Sequence, residues 1–201
     1  MKKLYLLLLA VFLLSSGNSS LFAHYPANTK KTALLIIDIQ EFYFPGGTIP
    51  LNNPEKAATN ASRLIRAFRD RELPIIHIRH EAGSGGDIHP MVQPLEKEKV
   101  ISKNKANAFV GTGLLDYLKD HQITELIICG MQTHMCVEAA TRAASDYGFD
   151  CTVIEDACTT RDLQYEEAIV TAKDVHLSTL SSLNKTYATI KTTQEFLDEL
   201  K

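Results

Sequence analysis

Three side chains in this sequence stand where they could act on one another. Asp38 directly follows the apolar run Ala33 to Ile37. A carboxylate at the end of a buried run is partly desolvated, which suits it to accept a proton. Cys136 closes the segment Gly130-Met-Gln-Thr133-His-Met-Cys136 and leads into a helical pattern. A thiol in a helix's first turn feels the positive end of the dipole and unpaired N–H groups, so a depressed pKa is expected there. The same N–H groups could hold an oxyanion during acyl transfer. Lys103, in Ile101-Ser-Lys103-Asn-Lys105, would keep a nearby carboxylate ionised and stabilise a thiolate. Singly, each has a plainer role: Asp38 as a turn residue, Cys136 as a small buried hydrophobe, Lys103 as a solvated charge. Their positions argue for more, because all three come at or just past a predicted strand end.

The elements that would position them alternate along the chain. Ala33 to Ile37 reads as a strand buried on both faces. Lys56 to Arg71 has apolar residues at Ala57, Ala61, Leu64, Ile65 and Phe68, which is helical spacing, and Asn53-Pro54 would open it. Further strands are expected at Leu73 to Ile78, Val100-Ile101, Glu125 to Cys129, Cys151 to Ile154 and Ala188 to Lys191. Helices are expected at Gly113 to His121, Thr133 to Tyr147, Leu163 to Ser182 and Gln194 to Leu200. Strands alternating with helices predict a three-layer α/β/α sandwich around a doubly wound, mainly parallel sheet. Ligands in such sheets sit outside the carboxyl ends of the strands.

Composition agrees. The chain has 201 residues, 45% hydrophobic and 22% charged, with net charge −3. That describes a globular protein and argues against a broadly basic nucleic-acid-binding face. Four cysteines are too few for a disulfide scaffold. Lys2 and Lys3 precede an unbroken apolar run from Leu4 to Leu14, followed by a Ser-rich stretch and Leu21-Phe22-Ala23. This reads as a secretory signal peptide over residues 1–23, too short in its apolar run for a membrane span. The expected mature domain, residues 24–201, carries two fewer lysines and lies in an exported, periplasmic or secreted setting, off the membrane.

Taken together the motifs resemble those of the isochorismatase-like cysteine hydrolases, the group that includes nicotinamidases. The matching residues are Asp38-Ile-Gln40, Lys103 six residues before Phe109 with Gly111-Thr112 beyond, and Gly130-Met-Gln-Thr133-His-Met-Cys136-Val137. Asp156-Ala157 also fits. The resemblance runs from about Thr32 to the C-terminus. It implies sheet order 3-2-1-4-5-6. It implies Asp38 as general base, Lys103 as electrostatic partner and Cys136 as nucleophile, with the backbone N–H groups of Gln132 and Cys136 as oxyanion donors and a cis peptide at Met131-Gln132. The implied reaction is hydrolysis of a small carboxamide through a thioester, by a homo-oligomer. Vinyl-ether hydrolysis of an isochorismate-like substrate and a catalytically silent binding protein are the alternatives.

Nicotinamidases carry an Asp-x-His metal site after the second strand. Here that place reads Ile78-Arg-His80-Glu81, and Asp87-Ile-His89 comes too late. His77 and His80, three apart on a strand, point to opposite faces and make a poor ligand pair. The expectation is therefore a member without metal or other cofactor. Phe44, Phe109 and His80 are expected to contact the substrate. Cys129 and Cys151 are expected to be packing residues, and a disulfide involving Cys158 stays open.

Overall fold

The computed structural model describes residues 30–200. The signal peptide expected over residues 1–23 lies outside the described residues. Six strands form one parallel sheet: β1 (Thr32–Ile37), β2 (Ile75–His80), β3 (Lys99–Lys103), β4 (Glu125–Met131), β5 (Asp150–Thr159) and, past a separate hairpin, β8 (Thr189–Lys191). Their order is β3-β2-β1-β4-β5-β8, which is the expected 3-2-1-4-5-6 with β8 as sixth strand.

β1 is central, paired with β2 on one side and β4 on the other. Its residues Ala33 to Ile37 are buried, as an uninterrupted aliphatic strand requires. Helix α1 (Pro54–Arg69) lays Ala57, Ala61, Leu64, Ile65 and Phe68 on the sheet, and each large apolar side chain buried there contributes about 1.5–3 kcal/mol. α1 packs with α5 (Thr193–Glu199), where Phe68 stacks on Phe196. α3 (Glu138–Asp146) packs with α4 (Ala172–Leu183) on the other face. α2 (Leu114–Asp120) links β3 to β4 and buries Leu114 and Leu118.

Three local features depart from the sequence reading. Asn53 is left-handed, with φ +48°, and its side chain caps no helix N–H; it donates instead to Asn52. The helix expected from Leu163 begins only at Ala172, capped by the Thr171 hydroxyl, which accepts from the Asp174 N–H. Before it, β6 (Leu163–Tyr165) and β7 (Ala168–Val170) form an antiparallel hairpin, turned at Glu166 with φ +52°. The β-branched pair Ile169-Val170 belongs to that hairpin, where extended backbone suits it. Finally, β5 outruns the expected four residues. Ile128 pairs with Val153 and Gly130 with Cys158, so β5 bulges between them. Asp156 in that bulge accepts from the N–H and hydroxyl of Thr193 at 2.7 Å, fastening the start of α5.

Parallel register gathers the strand ends that matter. Ile37 lies beside Ile78 and Gly130, and His80 beside Lys103. Asp38, His80, Lys103 and Gln132 therefore leave the sheet at one edge.

Candidate active site

Asp38 leaves β1 in a left-handed turn, φ +50°, which a short polar side chain tolerates better than most. Its N–H donates to the Ile78 carbonyl at 2.9 Å, which holds the turn against β2. The carboxylate is fully buried. Lys103, 1% exposed, reaches it from the end of β3: Nζ lies 2.6 Å from Asp38 Oδ2. The same Nζ donates to Cys136 Sγ at 3.2 Å. Neither Asp38 oxygen receives an N–H or hydroxyl hydrogen bond of good geometry: Oδ2 is held by ion-pair contact with the ammonium, and the Cys136 thiol is the other proton donor beside the carboxylate.

Cys136 stands in a wide π-type turn, Thr133–Val137, between β4 and α3. The N–H groups of Met135 and Val137 both converge on the Gln132 carbonyl, at 3.0 and 3.3 Å. Two side-chain bonds fasten the turn to its neighbours. Thr133 Oγ1 meets His176 Nδ1 of α4 at 2.9 Å, and His134 Nδ1 meets Thr160 Oγ1 at 2.7 Å. The Met131–Gln132 peptide preceding the turn is cis.

The electrostatics correct one expectation. Burial, reinforced by the charge of Asp38, pushes the Cys136 thiol up to about 12, against the lowering pull of Lys103. The dipole argument predicted the opposite sign. It failed because the turn is nearly closed to solvent, and desolvation penalises a thiolate more than partial charges favour it. Burial also raises Asp38, with Lys103 opposing. The resting pair is thus a protonated thiol beside a carboxylate of increased proton affinity.

A fourth side chain, His80, completes the cluster. Its Nδ1 lies 3.3 Å from Lys103 Nζ, and ligand atoms of Asp38, His80 and Cys136 all fall within 4.8 Å of one another. Carboxylate, imidazole and sulfur would suit a transition metal. Lys103 Nζ, however, makes close contact with all three, so the trio encloses an ammonium and does not fit a metal ion.

The other candidates are spread. Phe44 stacks on His89, ring centroids 3.6 Å apart, at a groove of about 460 Å³ also lined by Phe42, Thr48 and Ser84. Phe109 packs against Tyr147 and Phe149, beyond the end of α3 opposite Cys136. Cys129, Cys151 and Cys158 are buried free thiols. Two contributors were given no role of their own in the sequence reading, although Gln40 was noted as part of the Asp38-Ile-Gln40 motif. Gln40 is fully buried and clamps the His80 peptide, accepting from His80 N–H at 2.7 Å and donating to His80 O at 2.9 Å. Tyr43, a neighbour of the noted Phe42 and Phe44, receives a 3.4 Å bond from Gln132 Nε2. Burial pushes its hydroxyl up to about 12, so it stays a neutral donor. The aromatic cluster was the signal for Tyr43; nothing local marked Gln40 as a clamp.

An isochorismatase domain model matches residues 32–184. The chain belongs to the isochorismatase family. Its sequence is 46% identical to the uncharacterised isochorismatase-family protein YddQ of Bacillus subtilis, over 83% of this chain and 98% of that one. It is 24% identical to maleamate amidohydrolase of Pseudomonas putida, over 86% of this chain and 88% of that enzyme. The crystal structure of a protein from Oleispira antarctica, described as an isochorismatase hydrolase, superposes with a TM-score of 0.81 at 39% identity, covering 85% of this chain and 97% of that one. The family is one of hydrolases that act on small-molecule substrates. Among the described residues no helix is long and apolar enough to cross a membrane.

Proposed function

We propose that this hydrolase cleaves a small carboxamide, with Cys136 as nucleophile, Asp38 as general base and Lys103 as their shared cation. The observation that carries the reading is the single ammonium touching both Asp38 Oδ2 and Cys136 Sγ, at 2.6 and 3.2 Å. Asp38 takes the thiol proton as sulfur attacks the carbonyl carbon. The proton transfer moves negative charge from the carboxylate to sulfur, both in contact with the same buried Nζ, so little reorganisation is required. Formation of the C–S bond passes that charge to the carbonyl oxygen as its π bond breaks. The backbone N–H groups of Gln132 and Cys136 receive the oxyanion. The amine leaves with the proton from Asp38, and the thioester remains. Water attacks the thioester with Asp38 again as base, releasing the acid and the thiol. The amide chemistry of maleamate amidohydrolase in the same family supports this reaction class.

A panel of small carboxamides read by ammonia release tests it, with Cys136→Ala alongside. The variant should fold and lose turnover of every amide hit. Retention of more than a few per cent of kcat would show that the thiol is not the nucleophile. Full activity of the variant on an isochorismate-like vinyl ether would favour the other family chemistry.

We also propose export of a homo-oligomeric mature enzyme. The basic, apolar and Ser-rich sequence of residues 1–23 supports export, and the oligomer rests on the family resemblance alone. Expressed whole in a bacterial host, the protein should reach the periplasm with an N-terminus near His24. Recovery of intact 201-residue chain from the cytoplasm would oppose this.

A further inference from the structure

We propose that His80 is a positioning residue: its Nδ1 accepts a hydrogen bond from the Lys103 ammonium and so fixes that ammonium between carboxylate and thiol. The inference rests on the triad reading above and deepens it.

An ammonium has three protons to place and no acceptor of its own. Lys103 is 1% exposed, so solvent cannot take one of them. Asp38 Oδ2, in ion-pair contact at 2.6 Å, and Cys136 Sγ, accepting a hydrogen bond at 3.2 Å, engage two sides of the ammonium. His80 Nδ1, at 3.3 Å, is the acceptor on the third. A buried charged donor left without a partner carries a large desolvation penalty. Two acceptors also leave a four-carbon stem free to swing about the line joining them. A third acceptor off that line removes this freedom.

The backbone is arranged to aim the imidazole. His80 and Lys103 are direct cross-strand partners in the β2–β3 register, with side chains on the same face. Gln40 holds both sides of His80 in place, taking its N–H and donating to its carbonyl. Its amide nitrogen also donates to the Gly86 carbonyl at 2.7 Å, tying in the loop that follows β2. Gln40 thus acts on the site through His80, two residues after the base whose motif it shares. To accept at Nδ1, the imidazole carries its proton on Nε2.

The test pairs two substitutions of similar size. Asn offers Oδ1 where Nδ1 stood, whereas Leu fills the space with no acceptor. Iodoacetamide labelling of Cys136, located by peptide mapping at about pH 8, reads the ammonium's hold on sulfur without any substrate. His80→Leu should slow labelling about threefold or more and His80→Asn should restore most of the rate. On an amide hit, His80→Leu should lower kcat about tenfold or more with KM within about threefold, and Asn should recover most of it. Thermal melts establish that both variants fold, and His80→Ala replaces the Leu variant if that one does not. Labelling by the acceptor-free variant at the unaltered rate would overturn the inference, as would a loss confined to KM, which marks a substrate contact. Lys103→Ala separates the two levels. If it slows labelling and loss of the His80 acceptor does not, only the positioning role falls. If it too leaves labelling unchanged, the triad reading falls.

Discussion

Gly130 presses its Cα against the backbone of Ile37, the residue just before the base. A Cβ built on Gly130 would lie 2.0 Å from the Ile37 carbonyl oxygen, and its φ of +131° is closed to other residues. β1 and β4 approach this closely where both strands hand over to the site. Gly130→Ala must therefore push the strands apart or refold the turn. We expect a loss of about 3 kcal/mol or more in stability, from overpacking and backbone strain together. A thermal melt within about 2 °C of wild type would show that the handover tolerates movement.

Lys103 and Lys105 are two residues apart, yet one is enclosed and the other exposed. Lys103→Ala removes the only cation touching Asp38 and Cys136 among the described residues. It should lower kcat by about two orders of magnitude or more. Lys105→Ala should change kcat by less than about threefold, as for a solvated charge. Equal effects from the two, measured on one amide substrate, would show that the ammonium does not serve the reaction.

The thiol should also report its neighbours' charges with opposite signs. Asp38 raises the Cys136 pKa and Lys103 lowers it. Asp38→Asn should therefore bring the thiol down from about 12 and speed its alkylation at about pH 8, by threefold or more. Lys103→Ala should slow the same alkylation. Turnover should fall in both, because Asn cannot take a proton and Ala leaves carboxylate and thiol without their shared cation. An Asp38→Asn enzyme that alkylates more slowly than wild type would mean that the carboxylate does not face the thiol.

Much of this arrangement is legible in the sequence. The aliphatic run Ala33 to Ile37 forms the central strand because five consecutive buried positions suit a strand covered on both faces. Motif spacing brought Asp38, Lys103 and Cys136 to one edge because a parallel sheet ends all its strands there. Other features depended on partners far away in sequence. The helical reading of residues 163–171 lacked the turn at Glu166 and the Thr171 cap, which divide the segment. Phe109 stands six residues past Lys103, and its ring packs with Tyr147 and Phe149, partners that lie about forty residues away in sequence. The sign of the Cys136 shift depended on how tightly the turn is buried, which no local pattern records.

The approach to β3 carries a further acid-sensitive contact. Glu98 precedes the strand that delivers Lys103, and its side chain is 6% exposed. Burial works to raise its pKa, but Arg69, the Leu95 N–H and His77 outweigh that and hold it at about 2, below its ordinary 4.5. The bonds are short: Arg69 Nε and Nη2 at 2.7 and 2.8 Å, Leu95 N at 2.9 Å and His77 Nε2 at 3.0 Å. A carboxylate with a depressed folded pKa contributes stability that is fully present above 4.5 and is lost as pH falls through about 2. His77 is itself lowered, mainly by burial, so the unfolded chain takes up its proton first. Its contribution therefore begins to fade below its ordinary 6.5. Melting temperature should fall in two stages on acidification, the second between 4.5 and about 2. Glu98→Gln should melt about 6 °C lower at neutral pH, as for a charged hydrogen-bond network worth about 2 kcal/mol, and should lose the second stage. A variant that keeps the full slope below 4.5 would place that acid sensitivity on other carboxylates.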